Sequence, residues 1–531
     1  MIERQENSFI SVKPDKDRLI NLIDEIKEGG IKIPVFQREF VWKPQQMLEL
    51  LDSILKGYPI GSLLFWKPND EFKTKEFIGP YRISNSSKDV KYVLDGFQRL
   101  STLFGSLINP AVYSESQKIS EAKEFQIYYN LASREFTYVK SKSYNRYFYI
   151  PLHKIVDTFE FIDFLKELER TVGDRIELAN LISNAKEINK ILYDYEIPFV
   201  EIKGGDIKSA VEIFSRINST GTEISQDFML SALSYNPDTS FLFSDKITNF
   251  LTELSKYNFD NLKRDTILNC ISNSRGKIYF DVKVEDLVNN NLEELTKNAF
   301  PHIERAVQFL HKNLFVWEVK LLPYPTQLIF LSEYFRLKPF PNDSELKLLE
   351  RWFWITSYSN YFTIYSLSQQ RQAYKIFLDF INGKHATGIL KVGENFETAK
   401  FPEKLNLYGV RSKTLQLFML KTAYTHRNLR VGELIRESFV YNNGDRAPSN
   451  VMLTANSHFD FEINRELDRY IFDSDDDELM RFFISPLAKA HFVEGNIGGF
   501  LYERECQIQT GEKRFVDELG IGYYWSGVAP L

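Results

Sequence analysis

Val93-Leu94-Asp95-Gly96-Phe97-Gln98-Arg99-Leu100-Ser101-Thr102-Leu103 decides how the first half of this chain is read. Tyr92-Val93-Leu94 is a short apolar strand, Asp95-Gly96 a tight turn, and a helix follows from Phe97 to about Leu107. A strand that runs through a glycine into a helix brings the helix's first-turn N–H groups to the strand's end. Such a place favours an anion, above all a phosphate. Gly96 lets backbone approach a ligand closely. Arg99 is a forked cation suited to bidentate phosphate contact, and Gln98 and Ser101 can donate hydrogen bonds. Asp95 sits on the rim, where a carboxylate can hold a divalent metal that bridges phosphates. By spacing alone, the plainer reading is the stronger: an aspartate cap on an ordinary helix with a surface arginine.

Working outward, residues 1 to about 235 mix strand-like and helical runs. Asp17 to Glu28 has helical spacing and Gly29-Gly30 stops it. Ile31 to Phe36 reads as extended. Pro44 opens a helix that ends before Gly57-Tyr58-Pro59, and a strand follows from Gly61 to Trp66. Gln126 to Tyr129, Phe136 to Val139, Tyr147 to Ile150 and Ile197 to Ile202 read as further strands. Asp206 to Ile217 is a helix after the Gly204-Gly205 turn. This half is an α+β domain. From about residue 240 the pattern is helical, as in Ser344 to Tyr361 and Gln369 to Phe380, and after about 425 it is mixed. The expected division is 1–235, 236–420 and 421–531, within the three or four domains that roughly 150 residues each would allow.

The chain has 531 residues, 66 Lys+Arg against 72 Asp+Glu, and a formal charge of −6. That excludes a generally basic nucleic-acid coat, so DNA contact has to be local. Hydrophobic residues at 43% exclude a disordered chain. The 15% aromatic share points to aromatic-rich cores. Two cysteines cannot make a disulfide framework or a four-cysteine zinc site. The first residues have no apolar h-region, and no run approaches 18 apolar residues, so the expected location is cytoplasmic, with no membrane partner. There is no G-x-x-x-x-G-K-[ST] loop, C-x-x-C, histidine pair at metal spacing or G-x-S-x-G elbow.

Two more segments carry polar residues in suggestive company. In Ile33 to Trp42, Gln37 and Arg38 stand side by side and can face a phosphate or base, or else Arg38 serves in a salt bridge. In Phe214 to Ser225, Arg216 and Asn218 can reach the same ligand, although a helix end, a glycine turn and a Ser225 cap explain the residues without one.

In order and wording, PVFQREFVW, SILKGYPIG, VLDGFQRLSTL and FSRINSTGTEIS, spanning residues 34 to 225, resemble the N-terminal domain of the GmrSD-type restriction family, with its ParB/sulfiredoxin-like core. Phe97 stands where that family's D-G-Q-Q-R box has its first glutamine. The sulfiredoxin branch would need a cysteine here, and there is none. The resemblance implies a fold class of α+β, a ParB/sulfiredoxin-like domain followed by a mainly α-helical region. It also implies nucleotide binding and hydrolysis in defence against foreign, often modified, DNA. Asp95, Gln98 and Arg99 would be catalytic. Gln37, Arg38, Gly96, Ser101, Arg216 and Asn218 would bind nucleotide, and Asp95 would hold the metal. The cofactors implied are NTP and Mg²⁺; the partners are DNA, a nuclease partner protein and a second copy of the chain. The alternatives are a DNA- or partner-binding module without turnover, and an NTP-regulated DNA endonuclease.

A C-terminal HNH-like nuclease commonly follows in that family, marked by H-x-[FY]-P and then N…N…K. Ala447 to Thr454 and Asn456 echo it, but no H-x-[FY]-P precedes them, and His426 and His458 lack the proper neighbours. A degenerate HNH-like region or an interaction domain is the reading there. The acidic run Asp473 to Glu478 reads as the cap of a following helix. Trp352, Trp354, Tyr358 and Tyr361 read as core.

Overall fold

The computed structural model describes residues 10–37, 40–69, 71–84, 87, 89–113, 122–139, 146–218, 226–235, 241–288, 291–364, 366–390, 396–405, 408–424, 447–453, 458–460 and 471–524. The chain divides into two compact units, Met1–Ser244 and Asp245–Leu531. The first is α+β around a mixed sheet and the second is mainly helical, as expected.

The first unit begins with β1 (Ser11–Arg18), α1 (Leu19–Glu28) and β2 (Ile31–Lys32). Then come α2 (Pro44–Leu55), β3 (Leu63–Lys67), a small hairpin of β4 (Phe77–Ile78) and β5 (Tyr81–Arg82), β6 (Lys91–Asp95) and α3 (Phe97–Leu107). A three-stranded sheet follows, from β7 (Tyr128–Asn130), β8 (Glu135–Thr137) and β9 (Tyr149–Pro151). The long β10 (Glu196–Lys203) completes the main sheet. Its order is β1-β10-β3-β6-β2, with β1–β10 and β3–β6 antiparallel and β10–β3 and β6–β2 parallel.

Successive residues of a strand point to opposite faces, and here both faces are covered. Leu63, Phe65, Val93, Ile197 and Phe199 face a large core with Leu22, Ile26, Leu51, Ile54, Leu100 and Leu103 of the three helices. Leu64, Trp66, Leu94 and Ile202 face a smaller one with Phe36, Ala210, Val211 and Ala232. Two-sided burial explains why Leu63 to Trp66 is an unbroken apolar run.

The expected boundaries need three corrections. The helix opens at Leu19, because Asp17 and Arg18 end β1. That strand is polar, SVKPDKDR, and among the described residues it pairs only with β10. An edge strand needs no apolar alternation, and it tolerates Pro14 because one of its sides makes no ladder. The extended run Ile31 to Phe36 pairs regularly only over Ile31–Lys32 and then makes one bridge, Pro34 to Thr74. The β4–β5 hairpin, two residues per strand, is too short for a periodic signal.

In the second unit, aromatic side chains fill the interior. Trp352 packs 4.7 Å from Phe377, ring centre to ring centre, and stacks near Phe330. Trp352, Trp354, Tyr358 and Tyr361 are all buried, which supports the core reading over a stacking platform. Buried Glu512 accepts both prongs of Arg411, at 2.7 and 2.6 Å, and also the hydroxyls of Tyr358 and Tyr523. A buried carboxylate needs such partners, and removing one costs about 3–5 kcal/mol. In the acidic run, Asp475 caps the helix Asp476–Met480 by accepting from the Glu478 amide at 2.8 Å. Val451–Leu453 and His458–Asp460 pair as a two-stranded ribbon; His426 and Asn456 lie outside the described residues. Among the described residues, no helix is long and apolar enough to cross a membrane.

His311, 2% exposed on the helix Leu292–Asn313, has no partner for Nδ1 among the described residues. Burial and neighbouring Lys312 push its pKa down to about 4. The unfolded chain, with an ordinary value near 6.5, therefore binds more protons than the folded one between those pH values. The folded state is fully stable above about pH 6.5 and loses up to ~3 kcal/mol as the pH falls toward 4. His311→Phe should flatten that part of the stability–pH curve in urea melts. An unchanged slope would show that His311 titrates alike folded and unfolded.

Candidate functional site

β6 ends in an irregularity. Phe65 of β3 pairs with Val93, but Leu64 pairs with Asp95, so the register slips at Leu94. Such bulges re-aim side chains at the end of a strand. Here the slip delivers Asp95 to the mouth of the turn into α3. β2 has already stopped pairing at Tyr92, so the last carbonyls of β6 need other donors. Buried Gln37 supplies them: Nε2 donates to Val93 O at 3.0 Å and to Leu94 O at 2.7 Å.

Gly96 makes the turn with φ 89°, a left-handed conformation that suits glycine. A Cβ there would lie 2.2 Å from Leu63 Cδ2 and 3.2 Å from Arg99 Nη2. Both the dihedral and the space therefore demand glycine. α3 starts with no side chain capping it.

Arg99, in the first turn of α3, reaches back over Gly96. Its Nη1 donates to Ile60 O at 2.8 Å, and its Nη2 donates to Ser62 O at 3.0 Å and to Asp95 Oδ2 at 3.1 Å. Three of the five guanidinium N–H groups are thereby used. Gly61, between those two carbonyls, has φ 82°, and a Cβ on it would lie 2.6 Å from Arg99 Nη1. Gln98, beside Arg99 and buried, accepts from Val41 N at 2.9 Å and Trp42 N at 3.3 Å through Oε1. Asp95 remains partly open, its side chain 37% exposed against 17% for Arg99.

Three of the four quoted segments thus meet here, stitched by signature side chains onto each other's backbone. Gln37 ties the first to the third, Gln98 ties the third to the first, and Arg99 ties the third to the second. Ser101 is wholly buried, and its Oγ has no partner among the described residues, so it faces inward from α3. Phe97 is 6% exposed and belongs to the large core, with Lys75 over its ring at 5.9 Å. The residue that departs from the family box therefore points into packing.

Arg216 lies exposed on the helix Ile207–Asn218 and pairs with Glu212 at 2.6 Å. Ala210 and Val211 of that helix pack in the same small core as Leu64 and Leu94, beside the end of β6. Asn218 ends the helix. Arg38, the Asn218 side chain and Ser219 to Ser225 lie outside the described residues. Sequence reading missed Gly61 and the Ile60 and Ser62 carbonyls, which complete the Arg99 cradle. Their signal was the glycine of Tyr58-Pro59-Ile60-Gly61.

Residues 19–235 match the family model described as the GmrSD restriction endonuclease N-terminal domain. The chain is also 21% identical over 447 residues to an uncharacterized protein of Methanocaldococcus jannaschii, covering 75% of this chain and 72% of the relative.

Gly96→Ala combines left-handed strain with a clash against Leu63 and should destabilise the first unit by about 2–4 kcal/mol. Urea denaturation followed by tryptophan fluorescence measures it. A loss below about 1 kcal/mol would mean the turn relaxes without cost.

Proposed function

We propose that the first unit binds and hydrolyses a nucleoside triphosphate with Mg²⁺, as the nucleotide-dependent component of a restriction system that acts on foreign DNA. The observation that carries this reading is the Asp95–Gly96–Arg99 turn. It sets a carboxylate, a cation and the N-terminus of an eleven-residue helix around one strand end. Restriction as the setting rests on the family match over residues 19–235.

The parts have distinct roles in this reading. The first-turn amides of α3 and the remaining donors of Arg99 receive phosphate oxygens. The Arg99 fork is already fixed by Ile60, Ser62 and Asp95, so little ordering is needed when a phosphate arrives. Gln37 and Gln98 are positioning residues, because their amides hold backbone. Arg38, Arg216 and Asn218 would close the site from its flanks.

Mg²⁺ fits only together with phosphate. Among the described residues, no three His, Cys, Asp or Glu side chains gather as a metal site. Asp95 offers one carboxylate with one oxygen on Arg99, and Mg²⁺ is commonly held by one or two carboxylates plus substrate phosphates. The ion would neutralise charge on the transferred phosphoryl group.

A second reading, a docking module without turnover, draws on the same hydrogen bonds. Gln98 and three donors of Arg99 are engaged within the chain, as a purely structural motif would have them. Cleavage itself is assigned to a nuclease partner protein, and self-association and DNA contact remain parts of the proposal.

Asp95→Asn keeps the shape of the site and removes its charge. Turnover of the four NTPs should fall at least about 100-fold, a loss of roughly 3 kcal/mol of transition-state stabilisation, with the unfolding midpoint nearly unchanged. Arg99→Lys, which keeps charge but loses the fork, should also turn over poorly. Background-level hydrolysis in the wild-type protein, matched by both variants, would leave the docking reading in its place.

A further inference from the structure

The second unit carries a surface that the nucleotide reading does not use. Its centre is the turn after the helix Arg264–Asn273, where Arg275-Gly276-Lys277 leads into Ile278 and Tyr279. Gly276 has φ 74°, and a Cβ placed on it would meet nothing within 4 Å, so that side of the turn is open. The base of the turn is firmly tied. Asn273 is wholly buried; its Oδ1 accepts from Tyr279 N at 3.1 Å, and its carbonyl accepts from Tyr374 Oη at 3.3 Å. Tyr374 belongs to the helix Leu367–Ile381, which brings Arg371 and Lys375 to the same surface. Lys283 follows the turn, two residues after Asp281.

Over Arg275–Lys283 and the helix Leu367–Ile381, five cations stand against two carboxylates, in a chain whose formal charge is −6. Arg371 is engaged: Nε and Nη2 donate to the two oxygens of Asp281 at 2.7 Å each, with the guanidinium 5.2 Å from the Phe280 ring centre. Arg371, and Lys277 after it, hold the Asp281 carboxyl below its ordinary value. Asp379, the second carboxylate, is half-buried. Arg275, Lys277, Lys283 and Lys375 are exposed, and none has an ion pair or a side-chain hydrogen bond among the described residues. Several exposed cations elsewhere in this unit are matched, as Lys256 is by Glu304, Lys400 by Glu403 and Lys513 by Asp517. The C-terminal dipole of the helix Arg264–Asn273 gives Arg275 and Lys277 a structural reason. It gives none to Lys283, which stands before the helix Val284–Val288, at the end that disfavours a cation. Like charges left together without counter-charges repel, and a polyanion laid across them removes that cost.

We propose that this surface binds the phosphate backbone of duplex DNA, with Arg275, Lys277, Lys283 and Lys375 as the phosphate contacts. Exposed lysine and arginine side chains without acidic partners are the chemistry that neutralises phosphates, and such contacts position a protein on DNA without reading its sequence. A local surface of this kind is how a chain of negative net charge can meet DNA at all. The choice of DNA among polyanions rests on the restriction setting proposed above. The surface itself needs no nucleotide and shares no residue with the Asp95 site.

The test is fluorescence anisotropy of a short labelled DNA duplex titrated with the full chain over a salt series, without NTP or Mg²⁺. The logarithm of the binding constant should fall with that of the salt concentration, with a slope at least as steep as about −3.6, the value for four phosphate contacts. Lys277→Ala and Lys375→Ala, both at exposed positions, should keep the melting midpoint. Each should make the slope shallower by about 0.9 and weaken binding about eightfold near 0.1 M salt. Lys513→Ala, which removes a paired charge elsewhere in the unit, should leave affinity and slope as they are. No binding of the duplex at low salt would overturn the proposal, as would unchanged affinity and slope in both lysine variants. An equal loss in Lys513→Ala would overturn it too, by showing diffuse charge rather than a site. So would competition by polyglutamate as effective as by unlabelled duplex at equal charge, which would make the surface a dock for an acidic protein. Asp95→Asn should keep duplex binding and lose NTP turnover, and Lys277→Ala should do the reverse when turnover is measured without DNA. Failure of one site therefore leaves the other standing.

Discussion

The guanidinium of Arg99 is the tie on which the turn between β6 and α3 depends. It spans Ile60 O, Ser62 O and Asp95 Oδ2 within 3.1 Å, with Gly96 beneath it and Gly61 beside it. Two glycines without side chains make room for one arginine that has donors to spare. Because the fork bonds backbone carbonyls on one side and a carboxylate on the other, the loop after α2 and the mouth of α3 are fixed as one piece. Charge-assisted, partly buried bonds of this kind are about twice as strong as neutral ones.

Gln37 and Gln98 extend that logic to uncharged groups. Each is nearly buried, and each gives its amide to backbone that the sheet leaves unpaired or that a loop would otherwise expose. A buried amide bonded in this way stabilises one arrangement of the chain, because alternatives would strand its donors or acceptors. The motif residues therefore build the site's frame, while the other oxygen of Asp95, the remaining donors of Arg99 and the start of α3 are what a ligand would meet.

Much of the fold was legible where burial leaves a pattern. β3 and β6 show as apolar runs because both faces of the sheet are covered, and α3 shows because glycine punctuates its start. β1 left no trace because an edge strand can be polar throughout, and the β4–β5 hairpin because two residues make no period. At the site, Asp95, Gly96, Gln98 and Arg99 are near neighbours along the chain, but their orientations leave no sequence signal. A glutamine after a strand turn is chemically the same whether it grips a ligand or a backbone amide; the Val41–Trp42 loop lying against Gln98 decides.

The strand end at Asp95 is proposed as a nucleotide phosphate site. A crystal structure of the full chain with a non-hydrolysable NTP analogue and Mg²⁺ tests it most directly. Phosphate oxygens should lie at the first turn of α3, within hydrogen-bond distance of Arg99, with Mg²⁺ between them and Asp95. A nucleotide bound elsewhere, or none at saturating concentration with the Arg99 cradle unchanged, would contradict it.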